Sequence, residues 1–381
     1  MDLFTPILPT QKLHPNFINT IKEHEPYARM VLDQWAEGFF DRDGKFVKEF
    51  QSSYNSSFWE LYVYSVLKDL GFDVDFSHGR PDFYFRGHGM VACIEASIAS
   101  SGLDMPKEWE AKYSPENLSQ LNMAEIVDYA TIRLANTLTA KYKKYQNEYS
   151  SLSHVNNLPF IIAIAPFEQP FSYLQNEQAI RRVLYAFDNY DYVDNPETNE
   201  RLIYGKRFLD YIAKPNGAKV PLGYFTKGRM NEISAVIFSN TATFGKVRAL
   251  SQDPRDFFFE SIRYNDNGLN TRHTILPKKE YHETLLDGLH VFHNPYADHP
   301  ISFNIFDKTD ITQNNFDVIN GELLISTYDN FLFQRSAQQI ITHTQQQRNK
   351  IYEAARKANK NLASMSIDSR HPLTIRVMDY V

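Results

Sequence analysis

SSFWELYVYSVLKDLGFDVDFSHGRPDFYFRGHGMVACIEASIASS, residues Ser56 to Ser101, places three carboxylates where packing calls for apolar groups. It reads as a helix, a short strand and a β-hairpin. Ser56 or Ser57 can cap the helix, with Glu60 close enough downstream to complete a capping box. Glu60 also follows the spacing i, i+3, i+4, i+7 with Val63, Tyr64 and Leu67, which puts it on a core-facing side where a carboxylate needs a partner. Both readings of Glu60, cap and buried functional group, stand at this point.

The hairpin is more informative. Pro81 to Phe85 and Val91 to Ser97 are β-rich runs, and Arg86-Gly87-His88-Gly89-Met90 supplies the glycines of a tight turn. A turn centred between His88 and Gly89 sets Asp82 opposite Glu95 on one face, with Cβ atoms roughly 5 Å apart. Alternation then sends Phe83, Phe85, Ala92, Ile94 and Ala96 to the other face as core, and Ser97 shares the face of Glu95. Two facing like charges destabilise a hairpin unless a proton, a basic side chain or a cation resolves the repulsion. Mg²⁺ suits such oxygen ligands, being commonly held by one or two carboxylates with water and phosphate. An exposed pair bridged by Arg80 or Arg86 is the plainer alternative.

A helix with an inward Glu, then Pro-Asp-aromatic at the start of a hairpin, then a hydrophobic strand carrying Glu-x-small resembles the PD-(D/E)XK nuclease superfamily. The resemblance covers roughly Ser56 to Asn240 and implies a restriction-endonuclease-like mixed β-sheet core. It implies that Glu60, Asp82 and Glu95 are the acidic ligands of Mg²⁺ or Mn²⁺, and that the chain hydrolyses phosphodiester bonds. Where that family has its catalytic Lys, two positions after the Glu, this chain has Ser97. Some members draw the Lys from the following helix, and Lys141 is the candidate. The implied partner is nucleic acid, DNA first, in restriction or phage defence. The alternative keeps the fold without the catalysis, as a nucleic-acid or protein binding module. A third class is a structural or assembly protein whose basic tail lies between chains, as in a homodimer.

The remaining chain supports an α/β protein. Its 43% hydrophobic and 23% charged content, with 28 Phe and 23 Tyr, is that of a globular chain. Cys93, the only cysteine, excludes a disulfide framework and a thiolate zinc site and suits a reducing, cytoplasmic compartment. The sequence has neither a signal-peptide pattern nor an apolar run of about 20 residues, so no membrane is expected. The net charge of −6 is unevenly spread: residues 335–381 hold eight Lys or Arg against three Asp or Glu. That basic tail is either a solvated helix face or a phosphate-contacting surface.

Three regions are expected: an N-terminal helical extension over residues 1–55, a nuclease-like core over 56–250 and a C-terminal region over 251–381. His24 to Phe40 reads as a helix, and residues 103–117 as a loop. Leu118 to Tyr149 reads as a long helix ending in Lys141-Tyr142-Lys143-Lys144-Tyr145. Those cations either answer the helix macrodipole or, with Arg133 and Lys141 on nearly one face, point back to the hairpin carboxylates. Asn157 to Pro166 and Glu232 to Asn240 read as buried strands, with a helix near Glu177 to Phe187 between them. Leu289 to Pro295 and His299-Pro300 bring histidines together, but the prolines favour a structural loop over a metal site. Phe331 to Leu362 reads as a helix.

Overall fold

The computed structural model describes residues 1–102, 105–110, 122–194, 201–265, 270–308, 310–328, 330–339 and 344–364. Four helices open the chain: α1 (Pro15–Thr20), α2 (Pro26–Trp35), α3 (Phe46–Ser52) and α4 (Tyr54–Asp69). The hairpin stretch then gives β1 (Asp73–Asp75), β2 (Phe83–Gly87) and β3 (Met90–Ile98), followed by α5 (Met123–Lys144) and β4 (Phe160–Ala165). Next come α6 (Gln178–Tyr185), two small hairpins, β5 (Phe187–Asp194) with β6 (Arg201–Phe208) and β7 (Tyr211–Ala213) with β8 (Lys219–Pro221), then β9 (Ala235–Phe238) and α7 (Phe244–Leu250). The C-terminal third adds β10 (Phe257–Asn265), β11 (Asn270–Pro277), β12 (Leu289–His293), β13 (Ile311–Asp317), β14 (Glu322–Ser326), β15 (Leu332–Gln339) and α8 (Gln345–Ser364).

One eight-stranded sheet, ordered β1-β2-β3-β4-β9-β12-β13-β14, organises the chain. It is mixed: β3, β4 and β9 run parallel, and the hairpin strands on one side and β12 on the other pair antiparallel. β4 is buried along its whole length, as an unbroken apolar run requires of a strand covered on both faces. Its alternation sorts the two cores. Ile161, Ala163 and Ala165 pack with α4, whereas Phe160, Ile162 and Ile164 pack with α5 and α6. The Trp59 indole donates to the Ala163 carbonyl at 3.0 Å, fixing α4 on its face. The segment expected to stand apart as an N-terminal extension belongs to this core, through Phe17, Leu32, Trp35 and Phe50.

The boundary expected at residue 250 is crossed by the sheet, since β12, β13 and β14 extend it beyond β9. Leu289 to His293 is therefore a fully buried strand rather than a loop. The prolines that argued against regular structure follow the strand instead of interrupting it. The stretch from Phe331 divides into β15 and α8, because Leu332 and Phe333 are buried against β10. β10, β11 and β15 form a separate three-stranded antiparallel sheet, which α8 packs against.

An interior ion network joins that small sheet to the large one. Lys246 on α7 and Glu283, both at 0% side-chain exposure, lie 2.8 Å apart, and Arg335 on β15 meets the same carboxylate at 3.1 Å. Arg263 on β10 reaches Asp287 at 2.6 Å, and Asp287 also accepts from the Leu332 amide. Gly245 leaves room for Arg335: a Cβ there would come within 2.0 Å of its Nη1.

Candidate functional site

The β2–β3 turn has His88 and Gly89 at φ of 51° and 75°, as a two-residue primed turn demands. A non-glycine residue in that region needs support. The His88 ring meets the Leu70 carbonyl at 2.8 Å and stands edge-on against Phe72. The turn sets Phe83 opposite Ile94 and Tyr84 opposite Cys93, so Asp82, one residue before β2, falls in line with Glu95. Cys93 packs on the α5 face and Ile94 on the α4 face, which places Glu95 toward α5.

Glu95 is 2% exposed and fully engaged. Lys141 Nζ lies 2.8 Å and Lys144 Nζ 2.9 Å from Oε1, and the Tyr149 hydroxyl donates to Oε2 at 3.0 Å. Burial opposes ionisation, but the two ammonium groups outweigh it and hold the Glu95 carboxyl below its usual range. Asp82 has the opposite balance. Burial and then the Glu95 charge push its carboxyl up to about 7, against Lys141 and a 2.7 Å bond from the Ala96 amide. Ser97 follows on the same face as Glu95 and is buried.

Glu60 is half-buried on α4, the helix that packs on the sheet face opposite α5. Burial, then the Asp82 charge, push its carboxyl well above the ordinary value. The capping reading fails because α4 starts at Tyr54, leaving Glu60 well inside the helix and beyond the third position that a capping box uses. Of the two cations that one reading of α5 directs to the hairpin carboxylates, Lys141 reaches them and Arg133 does not. Arg133 turns to the chain after β3, donating to the Ser100 carbonyl at 2.7 Å, and takes no part in the carboxylate cluster. Arg80 bridges Glu148 and Arg86 bridges Asp73, so neither neutralises Asp82 or Glu95.

Sequence reasoning missed three contributors. Lys144 stood in the basic run, three residues from Lys141, and i,i+3 neighbours share a helix face, so that signal was present. Tyr149 gave none. Two α-helical turns span about 7 residues, which would align position 148 with Lys141. A single π turn over Tyr145–Tyr149 inserts one residue, brings Tyr149 to Glu95 and sends Glu148 outward to Arg80. Such turns recur at functional sites. Arg42 is the third: its guanidinium donates to the carbonyls of His78 at 2.6 Å and Pro81 at 3.2 Å, pinning the loop that delivers Asp82, and its charge acts on Glu60.

Among the described residues no group of three or more His, Cys, Asp or Glu side chains gathers in a metal-ligating arrangement. The donor chemistry still fits a hard divalent cation. Asp82 and Glu60 are oxygen donors close enough for the Asp82 charge to act on Glu60, and Mg²⁺ needs only one or two protein carboxylates when water and phosphate complete its shell. No helix among the described residues is long and apolar enough to cross a membrane. No family model, curated protein or solved structure matches the chain.

Proposed function

We propose that this chain is a Mg²⁺-dependent nuclease with a restriction-endonuclease-like core, acting on nucleic acid, DNA first, in restriction or phage defence. The observation carrying this reading is the 2.8 Å contact between Lys141, delivered by α5, and Glu95, on the strand face that Asp82 joins. A cationic group beside two carboxylates is what phosphodiester hydrolysis needs where Ser97 brings no charge. Asp82 and Glu60 would hold the cation, with Glu95 bordering the site. When bound, the cation lowers the pKa of the attacking water and offsets charge on the phosphate. Lys141 orients that water and stabilises charge as the phosphorus–oxygen bond to the leaving strand breaks. Tyr149 and Lys144 fix the Glu95 carboxylate so that Lys141 keeps its place.

The test is Mg²⁺- or Mn²⁺-stimulated cleavage of plasmid DNA and of RNA. Asp82→Asn with Glu95→Gln should abolish cleavage and the rise in melting temperature that the cation brings to the native fold. Lys141→Ala should slow cleavage by about 10² while keeping that rise. Full activity in Lys141→Ala removes its assignment. The engagement of both Glu95 oxygens by Lys141, Lys144 and Tyr149 favours a second reading, a non-catalytic binding module. Absence of cleavage with any divalent cation, alongside retained binding of nucleic acid, selects it.

A further inference from the structure

Asp82 stands one residue before β2, outside the strand ladder, so its placement depends on the loop that delivers it. That loop cannot hold itself. From Ser77 to Pro81 it forms no backbone–backbone hydrogen bond among the described residues, and Pro81 has no N–H to offer. Its carbonyls are instead taken by side chains from distant parts of the chain. Arg42, after α2, donates to those of His78 and Pro81. The Arg80 carbonyl goes to the segment after α5, where His154 Nε2 lies 2.8 Å away. A carbonyl only accepts, so Nε2 carries a proton.

The imidazole of His154 is oriented for that bond. It stacks on the His78 ring with centroids 3.8 Å and planes 1° apart, and the Tyr84 ring of β2 stands edge-on to both, 5.2 Å from His78 and 6.3 Å from His154. Arg80 and Glu148 add an ion pair at 3.0 Å, but it is exposed, and such pairs contribute little. The stretch from Tyr145 to His154 therefore acts twice. Its π turn brings Tyr149 to Glu95, and its end grips the loop that brings Asp82, whose carboxylate accepts from the Ala96 amide at 2.7 Å.

We infer that His154 is a positioning residue for Asp82: its Nε2, aimed by the stack on His78, holds the Arg80 carbonyl and so keeps the Asp82 carboxylate on the Ala96 amide, in line with Glu95. His154 touches no reacting atom in the proposed chemistry. The inference rests on that reading for what the placement serves, a carboxylate held where it can take a divalent cation. The placement itself is measurable without cation or substrate.

The experiment is amide hydrogen exchange of the metal-free full chain, read at Ala96 by nuclear magnetic resonance, with Asp82→Ala setting the scale of complete loss. His154→Phe keeps a ring to stack on His78 and removes the donor, whereas His154→Gln keeps a donor at similar reach. In His154→Phe the Ala96 amide should exchange about five- to tenfold faster, with the Ile162 and Ile164 amides of β4 unchanged, and His154→Gln should recover most of the protection. The Mg²⁺ concentration that gives half the rise in melting temperature should climb in His154→Phe and not in His154→Gln. If His154→Phe fails to fold, His154→Ala, which adds no bulk to the half-buried position, decides the matter. The inference is overturned if Ala96 exchange is unmoved, if β4 exchange rises equally, or if His154→Gln exchanges as fast as His154→Phe. A native chain that gains no melting temperature from Mg²⁺ would sink the proposed function, and Ala96 exchange would still decide the role of His154. Cleavage by the native chain with Ala96 exchange unmoved in His154→Phe would do the reverse.

Discussion

Asp82 keeps its proton up to about pH 7 because burial and the Glu95 charge both oppose ionisation. The unfolded chain loses that proton near 3.8, so between these values the native state binds more protons than the unfolded one. Stability contributed by Asp82 is therefore present below about pH 4 and is lost as pH rises toward 7. Urea unfolding of the metal-free protein and of Asp82→Asn across that window should show the native chain losing stability relative to the variant. His290 and His293, pushed down to about 4 by burial, act in the opposite sense below their ordinary 6.5, but they do so in both proteins and cancel in the difference. Parallel curves would mean that the carboxyl is not raised. Asp82 and Glu95 were legible in the sequence because a two-residue turn and strand alternation fix which side chains face each other. Tyr149 was not, since the π turn that redirects it leaves no periodic mark.

At the scale of elements, the buried Lys246–Glu283–Arg335 network ties α7 and β15 to the segment before β12. Burial would raise the Glu283 carboxyl, yet the facing Arg335 and Lys246 hold it down at about 2. Glu283→Gln keeps the shape but removes the carboxylate that both cations contact, leaving Arg335 without its ion-pair partner and Lys246 with only the Asp287 charge. Removing one partner of such a group costs about 3–5 kcal/mol, and chemical denaturation should find a loss of that order. A loss under about 1 kcal/mol would show that water or a shifted side chain satisfies the cations. This network also explains what the sequence hid. Glu283, Arg263 and Arg335 carry polar side chains into the interior, and a pattern reading assigns such positions to the surface. β4, a continuous apolar run, was read correctly for the converse reason, as was β9. β12 was misread because Pro295 and Pro300 argue against any regular element there, whereas they follow the strand and its two histidines pack in the core.

For the whole molecule, the chain does not divide where composition suggested. β9 is held by β4 on one side and by β12 on the other, and β12 in turn carries β13 and β14. Both cores draw on the C-terminal third: Leu289, Val291 and Ile311 complete the α4 face, while Phe292, Phe316 and Ile325 complete the α5 face. The opening helices are equally committed, with Glu25 buried between Arg248 and Arg255 at 3.0 and 2.9 Å. A fragment comprising residues 56–250 would expose the β9 edge together with apolar faces on both sides of the sheet. An unpaired apolar edge strand is a template for aggregation, and the lost burial removes the main favourable term in folding. The fragment should therefore be insoluble, or soluble only as a species with far-ultraviolet but no near-ultraviolet circular dichroism, whereas the full chain should show both. If the fragment instead gave the near-ultraviolet spectrum of packed aromatics and cleaved nucleic acid with Mg²⁺, the hairpin, α4 and α5 would form an autonomous unit. The strands from β12 onward would then be an addition to it, and the continuous sheet would describe how they dock rather than what the core needs to fold.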